Sequence, residues 1–131
     1  MARGIKPHLM FEGVARQAME LYVSIFPNSE IVEAEYYGSG EAGVEGSVKT
    51  AVFSLAGQRF ICIDSPVKHE FTFTPAMSIF VDCENEDELM RAYETLSAGG
   101  QVFMPLDNYG FSTKFGWVSD RFGVSWQLNL P

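Results

Sequence analysis

The sequence predicts an α+β protein built from two copies of one strand–helix–three-strand module. The same order of apolar periodicities occurs over residues 5–64 and again over residues 76–131. Residues 65–75 between them are largely polar and contain two prolines, as a linker would. Repetition of this kind predicts a single domain, residues 1–131, made of two βαβββ modules.

The first module begins with an apolar strand at residues 7–11, which Gly13 breaks. Apolar side chains then recur at helical spacing over residues 14–26, and Pro27 ends this predicted helix. Three strands complete the module, at residues 31–37, 48–55 and 58–64. The last two are joined by Ala56-Gly57, which is short enough for a tight hairpin turn.

The second module repeats this order from a strand at residues 76–83. Asn85 followed by Glu88 has the spacing of a helix capping box. Gly99-Gly100 supplies the glycine that commonly ends a helix. Three strands are again expected, at about residues 101–104, 113–119 and 124–130.

Charge and hydropathy argue against two classes of partner. The formal net charge is −8, and the nine basic residues are scattered without the cluster that a phosphate-binding surface needs. No apolar stretch approaches the roughly 18 residues of a membrane span. We therefore expect a cytoplasmic protein that binds neither nucleic acid nor membranes. Cys62 and Cys83 lack CxxC spacing, and we interpret them as small buried hydrophobic residues rather than a disulfide.

Alternation along the strands assigns side chains to the two faces of each sheet. The face that packs against a helix is apolar, as at Leu9, Phe11 and Trp126. The other face carries one polar side chain on each of four strands, namely His8, Asp64, Ser78 and Gln127. We place Asp64 there together with Phe60 and Cys62 of the same strand. Because these are the first and fourth strands of each module, the duplication predicts that the four polar side chains meet in one cleft.

Aromatic residues form 14% of the chain, more than we expect core packing alone to use. Tyr109, Phe111 and Trp117 lie in and beside one loop, and Phe80 shares the predicted cleft face of its strand. Some residues of this cluster are expected to pack in the core. We interpret the others as the walls of a pocket for a flat or apolar ligand. We assign these four residues to ligand binding. His69, in the linker, lies either on the surface or at the pocket rim, and is the fifth candidate.

Gly38, Gly40 and Gly43 match the spacing of a nucleotide-binding glycine motif. That motif requires a helix to begin at its last glycine, whereas a strand is predicted here. The pattern therefore indicates a hairpin loop, and we expect neither a nucleotide nor S-adenosylmethionine as a cofactor.

Three longer stretches resemble a known superfamily: Leu9 to Gly13, Phe71 to Ala76 and Met104 to Leu130. They are similar to the vicinal oxygen chelate superfamily, which includes glyoxalase I, extradiol dioxygenases and bleomycin-resistance proteins. Within it the match is to the PhnB-like branch, often described as 3-demethylubiquinone methyltransferase-like. The resemblance implies a curved mixed sheet around a cleft, usually completed in a homodimer.

The same resemblance implies a metal site. In the metalloenzymes of this superfamily, four positions on the first and fourth strands of the two modules hold a divalent ion. His8, Asp64 and Gln127 match three of these positions, and Ser78 stands at the fourth, where a hydroxyl is a poor ligand.

Two functions of different classes remain open. The first is a glyoxalase-like enzyme for an unknown small molecule, in which a weakly bound divalent ion acts as a Lewis acid. The second is a metal-free protein that sequesters a small molecule in an aromatic cleft. No catalytic residue can be assigned, and methyltransferase activity has no support in the residues themselves.

Overall fold

The computed structural model describes residues 1–131 and divides them into two units, residues 1–69 and residues 70–131. Each unit holds one four-stranded mixed sheet and one helix, in the order strand, helix, three strands. This confirms the predicted α+β fold class and the duplication of the βαβββ module. Neither helix has the length and apolar character that crossing a membrane requires.

The first unit consists of β1 (His8–Phe11), α1 (Ala15–Ile25), β2 (Glu30–Tyr36), β3 (Val48–Leu55) and β4 (Gln58–Asp64). Its sheet has the order β1-β4-β3-β2, with β1 parallel to β4 and the other pairs antiparallel. Helix α1 covers one face of this sheet, where Tyr22 packs against Phe53 with ring centroids 6.1 Å apart. Phe53 in turn stacks on Phe60 at 5.1 Å.

Two loops of the first unit confirm the turn predictions. Ala56 and Gly57 both have positive φ, 50° and 91°, which is the backbone of a type I′ hairpin turn. The glycine-rich segment connects β2 to β3, and Tyr37 closes it with backbone hydrogen bonds to Ser47 and Gly46, each 2.9 Å long. It is therefore a hairpin loop, and no helix begins at Gly43.

The second unit consists of β5 (Ile79–Asp82), α2 (Glu86–Ser97), β6 (Gln101–Asp107), β7 (Lys114–Ser119) and β8 (Ser125–Leu130). Its sheet has the order β5-β8-β7-β6, with β5 parallel to β8 and the other pairs antiparallel. Helix α2 begins as predicted, because Asn85 Oδ1 accepts a 2.9 Å hydrogen bond from the Glu88 backbone N–H. The helix packs against β7 and β8.

Two strands of the second unit differ in length from the prediction. β5 is shorter, because residues 75–77 form a turn in which the Met77 N–H bonds the Thr74 carbonyl at 3.4 Å. β6 is longer and runs through Pro105. Proline is tolerated there because β6 lies at the edge of the sheet and its register shifts beside Pro105.

Candidate functional site

The face of the second sheet opposite α2 carries aligned rows of side chains from neighbouring strands. Register places Phe80 opposite Gln127 and Gln127 opposite Trp117, so that these three form one row. A second row contains Asp82, Asn129, Phe115 and Asp107, and a third contains Ser125 and Ser119. Residues directly opposite each other point to the same face. The other face, turned toward α2, holds the fully buried Val118, Trp126 and Leu128.

A connected set of hydrogen bonds forms the polar part of this face. The indole N–H of Trp117 donates to Ser125 Oγ at 2.8 Å, and Ser125 Oγ lies 2.7 Å from Ser78 Oγ. Gln127 Nε2 donates to Ser78 Oγ at 3.5 Å. Strand alternation thus correctly predicted that Ser78 and Gln127 share this face. Both are engaged with neighbouring side chains.

Aromatic rings surround these polar groups, and we call Phe80, Phe103, Tyr109, Phe111, Phe115 and Trp117 the aromatic face. Phe103 contacts Trp117 with centroids 5.1 Å apart, and Phe111 meets Phe115 edge-on at 5.0 Å. Tyr109 also packs edge-on against Phe115, at 6.2 Å, while its hydroxyl donates to the Pro105 carbonyl. Phe80 is 54% exposed and Phe111 64% exposed. Large rings that stay in water on one face indicate a binding surface.

One polar atom within the second row has no partner. Asn129 Nδ2 donates to Asp82 Oδ1 at 2.9 Å, whereas the buried Asn129 Oδ1 accepts no hydrogen bond. Asn129 and Asp82 were not among the sequence candidates. Strand alternation could have identified both residues. Asn129 lies two residues after Gln127, and Asp82 lies two residues after Phe80, so each shares a face with a predicted site residue.

In the first unit, His8 and Asp64 lie on opposite faces of the sheet. His8 is opposite Ile61, whereas Phe11, on the face that α1 covers, is opposite Asp64. Phe60 and Cys62 are buried on this helix-covered face together with Asp64. Placing Asp64 on the cleft face was therefore wrong, as was placing Phe60 and Cys62 there.

The carboxylate of Asp64 is committed to the backbone. Oδ1 accepts hydrogen bonds from the N–H groups of Gly13 at 2.7 Å and Ala15 at 3.0 Å, and Oδ2 accepts one from Val48 at 2.9 Å. The N-cap residue of α1, Val14, has no side-chain oxygen, so Asp64 takes over the capping of this helix. Asp64 is 3% exposed.

Register also identifies the residue of the first unit that corresponds to Gln127. In the second unit, Gln127 lies opposite Phe80, two residues after Ser78. In the first unit, the residue opposite Met10, two residues after His8, is Ile63. The matching position is therefore Ile63, and the choice of Asp64 was off by one residue. In a strand, a slip of one residue moves a side chain to the other face.

These donors do not fit the divalent-ion site that the resemblance implies. The carboxylate is buried under α1, an isoleucine occupies the matching position, and the Ser78 hydroxyl bonds Ser125 and Gln127. No three His, Cys, Asp or Glu side chains in the chain lie close enough together to hold a metal ion.

The first unit has a cavity of its own, of about 520 Å³, beside the start of α1. Arg16 and Lys68 line it together with the carboxylates of Glu12 and Glu45, so its charge is mixed. His69 belongs to this unit. Its ring Nε2 lies 2.9 Å from Ser65 Oγ, and its backbone N–H donates to Glu12 Oε2 at 3.4 Å. Of the five ligand-binding candidates, Phe80, Tyr109, Phe111 and Trp117 come together in the second unit, and His69 lies in the first.

The model of one protein family, 3-demethylubiquinone-9 3-methyltransferase, matches residues 3–129. The chain belongs to this family. Within the curated proteins, it is 23% identical over 139 residues to Protein YjdN of Escherichia coli strain K12, covering 96% of the chain and 94% of YjdN.

Solved structures agree with this placement. The chain is 51% identical to the PhnB protein of Bacillus cereus, with a TM-score of 0.96 over 98% of the chain and all of that protein. The fosfomycin resistance protein FosX of Listeria monocytogenes, in a complex with Mn(II), shares the fold at 16% identity and a TM-score of 0.62, covering 100% of the chain and 94% of FosX. The family member described here therefore has the vicinal oxygen chelate fold that its sequence resembles.

Proposed function

We propose that this protein binds a small, flat molecule on the aromatic face of its second unit and needs no metal to do so. The observation that carries the proposal is the placement of exposed rings around the hydrogen-bonded set of Trp117, Ser125, Ser78 and Gln127. Rings provide apolar contact area, while a few fixed polar groups orient a ligand. Because these hydrogen bonds already hold the polar side chains in place, ligand binding costs little side-chain conformational entropy.

A metal-dependent, glyoxalase-like reaction is the second candidate. It is favoured by exposed His8 on the uncovered face of the first sheet and by the shared fold with FosX, whose structure contains Mn(II). It receives less support from the chain because Asp64 is engaged with three backbone N–H groups. A metal ion acting as a Lewis acid would therefore lack the carboxylate ligand that the resemblance implies. Titration with Mn²⁺, Ni²⁺ and Zn²⁺ tests this candidate through a rise in melting temperature that His8→Ala abolishes.

Methyl transfer, which the family's description names, is not part of the proposal. The glycine motif that would suggest a nucleotide-like cofactor is a hairpin loop between β2 and β3. The aromatic face offers a surface for a ligand but no assigned nucleophile or base.

The proposal is tested by calorimetric titration with 2-naphthol, a flat and uncharged aromatic molecule. Phe80→Ala removes an exposed ring from the aromatic face, and we expect it to weaken binding about tenfold, since one well-placed aromatic contact contributes on the order of 1 kcal/mol or more. Met90→Ala is the matched control, because Met90 is an exposed apolar residue on α2. Equal affinity in the wild type and Phe80→Ala, or no binding at all, would contradict the proposal.

A further inference from the structure

We propose that the ligand of the aromatic face is an uncharged aromatic carbonyl compound, whose carbonyl oxygen accepts a hydrogen bond from the Ser78 hydroxyl. This inference rests on the proposed function and adds the chemical class of the ligand. It derives from the direction of the hydrogen bonds that connect Trp117, Ser125 and Ser78 in series. The donor of each bond can be assigned, and the last hydroxyl proton of the series is left for a ligand.

The direction of the series is set by Trp117 and by the burial of Ser125. An indole N–H only donates, so Ser125 Oγ accepts the 2.8 Å hydrogen bond from Trp117 Nε1. Ser125 is only 2% exposed, and the other partner of its Oγ is Ser78 Oγ at 2.7 Å. Because a buried hydroxyl proton without an acceptor is unfavourable, Ser125 donates to Ser78.

The Ser78 hydroxyl is then a donor without an acceptor in the chain. Its oxygen accepts from Ser125, and the amide nitrogen of Gln127 donates to it at 3.5 Å. Both lone pairs of the oxygen are therefore engaged, whereas its proton is not. Ser78 is half-buried and, unlike Ser125, keeps contact with solvent. The group that completes the series is an acceptor, and a carbonyl oxygen supplies one.

The place of Ser78 at the end of the series makes its hydroxyl a stronger donor. Each hydrogen bond in a connected series polarises the next one. The Trp117 N–H polarises the Ser125 hydroxyl, which in turn polarises that of Ser78. A carbonyl oxygen therefore binds here more tightly than it would at an isolated serine.

The charge of the surrounding face favours an uncharged acceptor over a carboxylate or a phosphate. None of the residues in the three rows is basic, and the second row contains Asp82 and Asp107. The Lys114 ammonium, at the start of β7, is paired with Glu86. An anionic ligand would be repelled by the two carboxylates and would find no cation in these rows.

The spacing along the first strand of this unit places the donor beside an exposed ring. Ser78 directly precedes β5 and lies two residues before Phe80, which is about 6.6 Å in a strand. A carbonyl group bonded directly to a ring, followed by one hydrogen bond of about 2.8 Å, spans this distance when the ring packs against Phe80. Aryl ketones have this arrangement.

The compounds 1-indanone and indole make the test, because both are flat, uncharged bicyclic molecules of similar size. The ketone only accepts a hydrogen bond, whereas the N–H of indole only donates one. We expect 1-indanone to bind about fivefold more tightly in calorimetric titration, as one hydrogen bond contributes to that order. Ser78→Ala should abolish this preference by weakening 1-indanone alone, and Ser78→Thr, which keeps the hydroxyl, should preserve it. Ser97→Ala, the same change at the end of α2, is the matched control and should also preserve it.

Infrared spectroscopy tests the same hydrogen bond in the wild-type protein. The carbonyl stretch of 1-indanone moves to lower frequency when its oxygen accepts a hydrogen bond. We expect this shift in the bound molecule and its loss in Ser78→Ala. A stretch at the frequency measured in an apolar solvent would contradict the inference without the use of any variant.

Each other outcome counts against the inference. Equal binding of the two molecules, lost in Phe80→Ala, would overturn the ligand class while leaving the proposed function in place. Tighter binding of indole would show that this site accepts hydrogen bonds instead of donating them. A preference for 1-indanone that survives Ser78→Ala would exclude Ser78 as its source. Failure of both molecules to bind would overturn the inference alone if 2-naphthol binds, and together with the proposed function if it does not.

Discussion

Asp64 joins three backbone segments of the first unit through one side chain. Its two oxygens accept hydrogen bonds from the loop before α1, from the first residue of α1 and from the start of β3. Because the carboxylate is buried and fully engaged, its role is to hold these segments together. Asp64, which the resemblance implies as a metal ligand, therefore has a structural role.

We expect Asp64→Ala to lower the free energy of unfolding by about 3 kcal/mol, because it leaves buried N–H groups without acceptors. Urea denaturation followed by circular dichroism measures the effect. Asp87→Ala, at an exposed position on α2, is the control and should cost less than about 1 kcal/mol. A similar small loss for both variants would show that Asp64 does not have this structural role.

The two thiols should be unreactive until the protein unfolds. Burial raises the pKa of Cys62 to about 12, with the negative charge of Asp64 adding to the effect, and burial raises the pKa of Cys83 to about 11. Both thiols are free and buried. We expect Ellman's reagent at pH 8 to label the native protein negligibly and both cysteines in guanidinium chloride. Rapid labelling of the native protein would contradict their burial.

These raised pKa values also imply a decrease in stability at alkaline pH. In the unfolded chain the thiols lose their protons near the ordinary value of 9.0, whereas in the folded protein they keep them until about 11 or 12. The unfolded state thus binds fewer protons above about pH 9, and the free energy of unfolding falls as pH rises. In the Cys62→Ala/Cys83→Ala double variant, the free energy of unfolding should change less with pH between about pH 9 and about pH 12.

At the scale of helices and strands, glycines set where chain segments can approach each other. Gly100 follows α2, and a Cβ added to it would lie 1.9 Å from the Ser119 carbonyl oxygen. Backbone cannot move aside as the end of a flexible side chain can. The close approach of the start of β6 to the end of β7 therefore requires glycine at this position.

We expect Gly100→Ala to destabilise the fold by about 3 kcal/mol or more, since the clash can be relieved only by shifting β6 or β7. Gly4→Ala provides the control, because nothing lies within 4 Å of a Cβ at that position. Thermal melting of the two variants makes the comparison. If both melt with the wild type, the register of β6 on β7 described here is wrong.

Periodicity and turn residues together predicted the bounds of several elements. The bounds of β3 and β4 matched, and the capping pair Asn85 and Glu88 marked the start of α2. The prediction failed for Asp64 because strand alternation gives two possible phases, and a buried carboxylate on the apolar face looks like a polar residue on the other face. Hydrogen bonds to distant backbone, which decided its place, have no signature in the sequence.

At the scale of the whole molecule, the main feature is the duplication of one module. Both units have the same strand order, with the first strand parallel to the last, and this symmetry could be derived from the repeated pattern alone. The chemistry of the two sheets differs, because Ile63 stands where Gln127 stands in the second unit. The expected homodimer stays a prediction, which size-exclusion chromatography tests.

Nuclear magnetic resonance of the two indole N–H groups tests ligand binding on the aromatic face most directly. Trp117 belongs to that face, whereas the fully buried Trp126 donates to Asp120 Oδ2 at 2.9 Å and serves as an internal control. Trp117→Phe assigns the two signals. On addition of 2-naphthol, we predict that the Trp117 signal shifts in a saturable way while the Trp126 signal stays in place. An unmoved Trp117 signal at saturating ligand would contradict the account.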